Sequence, residues 1–258
     1  MSFCSKVAML LPVLSASGAF GEGVFVNPLR YEIVAPRGAV HEERITLRND
    51  GNATIRLRVG LQEETAGKRR HWIEANLDPV ELRPGEACER AFRLAVPDDA
   101  SGELRARVVF SSEGNEVEMG AMRMTSRLAV PVYVVISGTE VRAAEVLEIW
   151  ECAGFPGWME VVVANRGNVH IRPEGELRIL DADGRAMLVR VPVNEWGYPV
   201  LPGETVALRT GPMRGGRGPG PRFAEATLKF DGSEITSRHV VQPLEKNEGV
   251  FPGIGKSP

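Results

Sequence analysis

Four short motifs occur twice in this chain, in the same order, and that repeat limits the possible folds more than any other feature. Asn49-Asp50-Gly51-Asn52 followed by Ile55 returns as Asn165-Arg166-Gly167-Asn168 followed by Ile171. Leu82-Arg83-Pro84-Gly85-Glu86 returns in shortened form as Leu201-Pro202-Gly203-Glu204. Phe110 and Phe230 close comparable apolar runs, and Thr125-Ser126-Arg127 returns as Thr236-Ser237-Arg238. The offsets are about 116, 118, 120 and 111 residues, a drift no larger than a loop, as duplicated domains with unequal loops would give. A chain of 258 residues has room for two domains of ordinary size.

Around these markers the hydrophobic period is two. Ile45 and Leu47 alternate with Arg44, Thr46 and Arg48, and Ile55, Leu57 and Val59 alternate with Arg56 and Arg58, the pattern of half-buried strands. The Asn-Asp-Gly-Asn between them reads as a turn. Pro84-Gly85 and Pro202-Gly203 suit the centre of a type II turn, so a strand is expected after each. The 28 glycines and 18 prolines fit many short strands better than helices. The expected fold is all-β, with two tandem immunoglobulin-like antiparallel β-sandwiches.

The expected organisation is a signal peptide over 1–21, sandwiches over 22–138 and 139–244, and a disordered tail over 245–258. Lys6, the apolar run from Val7 to Leu14 and the small residues Ser15 to Ala19 carry the leader reading, against the alternative of a buried N-terminal segment. The apolar run is too short for a transmembrane anchor. Removing the leader would take Cys4 and leave Cys88 and Cys152, one in each half, expected as free buried thiols. The stretch from Gly211 to Arg222 reads as a flexible loop within the second domain.

Little in the sequence points to covalent chemistry, and no cofactor is expected. His41, His71, His170 and His239 have no metal-pair spacing, and no nucleophile-elbow or phosphate-loop pattern occurs. Asp181-Ala182-Asp183-Gly184 lacks the rest of a calcium loop and reads as a hairpin turn. A net charge of -3 gives no footprint for nucleic acid.

The strongest interaction signal is the segment from Met122 to Ile136. Its even positions are Met122, Met124, Ser126, Leu128, Val130, Val132, Val134 and Ile136, an almost continuous apolar face. Pro131 cannot donate to a ladder, which places the strand at a sheet edge, and a long apolar edge strand must be covered or used. The alternative is that this face packs in its own core, the reading favoured for Val132 to Ile136.

The first half resembles the periplasmic chaperones of chaperone-and-usher pilus assembly. The matching stretches are Arg44 to Asn49 with its turn, His71-Trp72-Ile73-Glu74, Pro79 with Leu82-Arg83-Pro84-Gly85, Val96-Pro97-Asp98-Asp99, and Arg127 to Val134. The second half matches through Asn165 to His170 and Leu201-Pro202-Gly203. The resemblance implies that the strand from Met122 to Val130 is lent to an incomplete pilin-like sandwich by strand addition. It also implies that Arg30 anchors the subunit's terminal carboxylate. Ser137-Gly138-Thr139 stands where the family carries a lysine partner for that arginine. The expected binding residues are therefore Arg30, Met122, Met124, Leu128 and Val130, and the expected partner is a pilin-like or surface subunit met in the periplasm or outside the cell. The alternative is an exported structural or adhesive module of two such domains.

Overall fold

The computed structural model describes residues 18–19, 23–64, 71–113, 126–152, 155, 157–213 and 222–241. The expected leader apart from Gly18–Ala19, Met122, Met124, most of the Gly211 to Arg222 loop and the expected tail lie outside the described residues. The chain divides into two compact units, 1–140 and 141–258, and the described residues contain strands and no helix.

The first unit comprises β1 (Gly18–Ala19), β2 (Val24–Asn27), β3 (Tyr31–Ala35), β4 (Val40–Asn49), β5 (Ile55–Glu63), β6 (Ile73–Ala75), β7 (Val80–Leu82), β8 (Ala87–Ala95), β9 (Glu103–Glu113) and β10 (Arg127–Ile136). They form two five-stranded sheets, β1-β2-β4-β8-β6 and β3-β10-β9-β5-β7. All pairs are antiparallel except β3 with β10, which run parallel. The chain passes repeatedly from one sheet to the other, and two of these crossings are the ones from β2 to β3 and from β6 to β7. Both crossings contain a proline, Pro28 and Pro79, which has no N–H to continue the first ladder. Ile45, Leu47, Ile55, Leu57, Trp72, Leu94, Val132, Val134 and Ile136 lie in the core between the sheets, so the two-residue alternation points as expected.

The second unit comprises β11 (Ala144–Glu151), β12 (Met159–Asn165), β13 (Glu174–Leu180), β14 (Met187–Val193), β15 (Thr205–Arg209), β16 (Arg222–Phe230) and β17 (Ser233–Val241). Their sheets are β11-β12-β15 and β14-β13-β16-β17. Strands follow both Pro-Gly turns, at β8 and β15, and the glycines take positive φ, +76° at Gly85 and +77° at Gly203, where a side chain would be strained. Asp183-Gly184 lies in the β13–β14 hairpin turn. The Asp181 carboxylate there accepts the Arg185 N–H at 2.8 Å, and this bond heads the causes that hold Asp181 below its ordinary range.

The sequence repeat marks one device built twice. Asn49 is 0% exposed and Asn165 is 1%. The Asn49 Nδ2 donates to Ala53 O at 2.7 Å and Leu82 O at 3.0 Å, while its Oδ1 accepts from Gly51 N at 2.9 Å. The Asn165 Nδ2 donates to Val169 O at 2.9 Å and Val200 O at 2.8 Å, while its Oδ1 accepts from Gly167 N at 2.8 Å. The main chains match as well. Asn49 N donates to Glu86 O and Gly85 N donates to Asn49 O, at 2.9 and 2.8 Å; Asn165 pairs likewise with Glu204 O and Gly203 N, at 2.9 and 3.1 Å. Each asparagine closes its own turn and ties a long strand to the Pro-Gly turn. The side chain satisfies buried backbone groups that have no ladder partner.

Candidate functional site

The site is the first half of β10, and it exists because of where β3 begins. The chain leaves the first sheet at Asn27-Pro28 and starts to pair with β10 only at Tyr31, opposite Val132. From Val132 to Ile136, β10 has β3 on one side and β9 on the other. From Arg127 to Pro131 it pairs with β9 alone, so its other side is an open edge among the described residues. The expectation of an edge strand is thus corrected: β10 is internal over its second half and an edge over its first. The reason lies outside the segment, in the sheet crossing at Pro28.

Ladder phase fixes which backbone groups face that edge. Ser112 N donates to Ser126 O at 2.9 Å, and Ile136 N donates to Gly102 O at 2.8 Å, both in the register of the β9–β10 ladder. In an antiparallel pair the bonded positions alternate, so the even residues of β10 bond β9. The odd residues turn their N–H and C=O groups the other way. Ser137 N accordingly donates to Ala35 O, on the β3 side, at 3.0 Å. Arg127 and Ala129 therefore present both backbone groups to the open edge. Pro131 presents only its carbonyl, and its missing N–H removes no bond to β9.

Of the residues expected from sequence, Val130 is fully buried in the core of its own sandwich. It contributes neither a free side chain nor an open-edge backbone group. Leu128 is half-buried against that core, opposite Phe110 on β9. Arg30 precedes Tyr31 and so, by register, stands beside Pro131 where the β3 ladder ends. Its Nε lies 3.2 Å from Glu32 Oε1, with both side chains part-exposed. Where a lysine was sought, Thr139 Oγ1 donates to Ile136 O and accepts from Gly102 N, both at 2.8 Å, so this turn serves the sandwich. Sequence reasoning missed Arg127 and Ala129, whose contribution is backbone. Only ladder phase reveals it.

A polar node lies elsewhere, in the second unit. Glu160 accepts from Trp150 Nε1 at 2.8 Å, Arg209 Nη2 at 3.0 Å and Cys152 Sγ at 3.3 Å. Burial pushes Glu160 up, but those three donors together hold it below the usual carboxylate range. Burial first, then Glu160, pushes the Cys152 thiol up. Neither Cys88 nor Cys152 forms a disulfide, as expected; Cys152 is buried, and Cys88 is only half-buried. Among the described residues, no group of three or more His, Cys, Asp or Glu side chains is placed to hold a metal ion. No helix there is long and apolar enough to cross a membrane.

No family model matches the chain, and no curated protein matches it. Solved structures similar to it include the YadV chaperone, at 11% identity and TM-score 0.47 over 84% of this chain and 99% of that one. The CupB2 chaperone of Pseudomonas aeruginosa is similar at 11% identity and TM-score 0.44, over 81% of this chain and 96% of that one. A chain from the Salmonella enterica SafA pilin–SafB chaperone complex is similar at 12% identity and TM-score 0.45, over 86% of this chain and 98% of that one.

Proposed function

We propose that this protein is a periplasmic, chaperone-like binder that holds a subunit by strand addition along the open half of β10 and performs no covalent chemistry. The observation that carries the reading is the early end of the β3 ladder, which leaves Arg127 to Pro131 with one neighbouring strand. A partner strand laid there would occupy the line that β3 vacates, gaining main-chain bonds from the odd positions Arg127 and Ala129.

 The groups that would bond it are the N–H and C=O of Arg127 and Ala129 and the carbonyl of Pro131. If its C-terminal carboxylate reaches Arg30, beside Pro131, the added strand must run parallel to β10, as β3 does. Arg30 would then exchange Glu32 for the incoming carboxylate, a charge-assisted contact. Leu128 would supply apolar contact, and Met122 and Met124 share its parity in the sequence. Val130 would anchor the strand from within. The resemblance to pilus-assembly chaperones supplies the kind of partner, a pilin-like or surface subunit with an incomplete sandwich, met after export.

The test is capture of a co-expressed subunit from cell fractions by the tagged full chain and by Ala129→Pro. That change removes an N–H from the open edge and none from the β9 ladder. The variant is expected to melt as the parent does and to lose the subunit. A well-folded variant that recovers as much subunit as the parent would rule out the edge. It would favour the reading of an exported structural or adhesive module.

A further inference from the structure

The loop between β14 and β15 holds two aromatic rings out to solvent, with Trp196 85% exposed and Tyr198 62% exposed. The loop backbone is braced. Asn194 is buried at positive φ, its Nδ2 donating to Pro173 O at 2.9 Å and Tyr198 O at 3.0 Å, its Oδ1 accepting from Tyr198 N at 2.9 Å. Gly197 N donates to Asn194 O at 2.8 Å, and Gly197 O accepts from Arg172 Nη1 at 2.5 Å. Rings carried on a braced backbone lose little conformational freedom on binding, the property of aromatic anchors at protein interfaces.

The charge beside the rings is negative. Glu174 Oε1 lies 3.0 Å from where a Cβ on Gly197 would stand, and the exposed Glu195 adjoins Trp196. Arg172 is engaged with the loop carbonyl. Lys229, opposite Glu174 in the ladder, holds its ammonium 3.3 Å from Glu234. The strand leading into the loop, β14, is the edge of its sheet. Among the described residues its outer side pairs only at the end, where Val193 bridges Thr210.

We propose that Trp196 and Tyr198, with Glu174 and Glu195, form a docking platform for an extended, lysine- or arginine-bearing segment of a protein partner. A cationic side chain would lie over the Trp196 ring with the two carboxylates as counter-charges. The open side of β14 would take the segment's backbone. An anionic lipid surface would be repelled by the same carboxylates. The platform lies in the second unit and does not rest on the proposal for β10.

The experiment follows the indole N–H signals of the four tryptophans by NMR on the full chain, with Trp196 assigned by its loss in Trp196→Phe. The probe is an alternating Gly-Lys hexapeptide, with the Gly-Glu hexapeptide, cellohexaose and anionic phospholipid vesicles as the other arms. The lysine peptide is expected to move the Trp196 signal and not that of buried Trp72. Trp196→Ala should weaken its binding by about tenfold or more, within the range of cation–π contacts and aromatic anchors, at an unchanged Tm. Glu174→Gln with Glu195→Gln should weaken it by a smaller factor. A Trp196 signal that the lysine peptide leaves in place, that the glutamate peptide moves equally, or that responds only to cellohexaose or vesicles overturns the proposal. Unchanged binding by Trp196→Ala does so as well.

Discussion

β10 and β17 are the last described strands of their respective units, yet they treat their edges in opposite ways. Among the described residues β17 is an edge along its whole length, paired with β16 alone, and it is dressed with charge. Arg238 Nη2 lies 2.7 Å from Glu225 Oε2 and Glu234 lies 3.3 Å from Lys229, while its inward positions, Ile235, Ser237, His239 and Val241, are only half-buried. β10 is an edge over half its length, its inward residues are apolar, and from Val130 to Ile136 they are fully buried. Charges and polar residues are how natural edges discourage pairing. An edge position alone therefore does not mark a binding strand; what marks it is an unpaired backbone on a strand anchored by its own core.

The largest expected contrast comes from placing a carboxylate at inward positions of the two strands. Val130→Asp should destabilise the first unit by about 4 kcal/mol, since it deletes a core side chain and buries an unpaired charge. Ile235→Asp, at a half-buried position, should cost about 1 kcal/mol. Urea titrations of the two variants would compare them, and equal losses would remove the distinction between the strands.

Next in size are the twin asparagines. Asn49→Leu and Asn165→Leu each strand two carbonyls and one N–H that the side chain satisfies, at about 3 kcal/mol in the unit concerned. Hydrogen exchange should locate each loss in its own unit. A loss from only one of them would mean that the two clamps are not equivalent. Smaller still is the stability effect of Glu234→Val with Arg238→Val, under about 1 kcal/mol for exposed ion pairs. Its expected consequence is self-association through a bared β17, visible as a concentration-dependent sedimentation coefficient. A double variant that stays monomeric would show that the charges do not defend that edge.

The smallest effect is in pH dependence, and it has opposite signs in the two units. Glu160 is lowered in the folded state, so its stabilisation is complete above its unfolded pKa, roughly 4.3, and is lost as pH falls through the folded value. Glu43 is raised, by burial and despite His41, so its contribution is present below the unfolded value and is lost as pH rises through the folded one. Between neutral pH and about pH 3, the Tm of Glu160→Gln should fall less than that of the parent. An identical decline would mean that the three donors do not hold the carboxylate down.

Much of the fold is legible because its signals are local. Ile45, Leu47, Ile55 and Leu57 declare their strands by alternation, and Gly85 and Gly203 declare their turns. The repeated asparagines are visible in the sequence as turn residues. Their buried side-chain clamp is not, since it reaches Leu82 and Val200 more than thirty residues away. The apolar parity of Met122 to Ile136 is also legible. What it means at Val130 is not, because the extent of the open edge is set by Pro28, about a hundred residues upstream. Arg127 and Ala129 act through groups that every residue has, so residue type cannot single them out.

The central claim is that β10 is bonded on both sides from Val132 onward and on one side before it, with odd residues facing the open edge. Amide hydrogen exchange on the free full-length protein, read residue by residue, tests this without a partner. The account predicts that the amide of Ala129 exchanges rapidly while those of Leu128, Val130, Tyr133 and Val135 are protected. Protection of Ala129 equal to that of Val135 would mean that the edge is already covered, and would contradict the account.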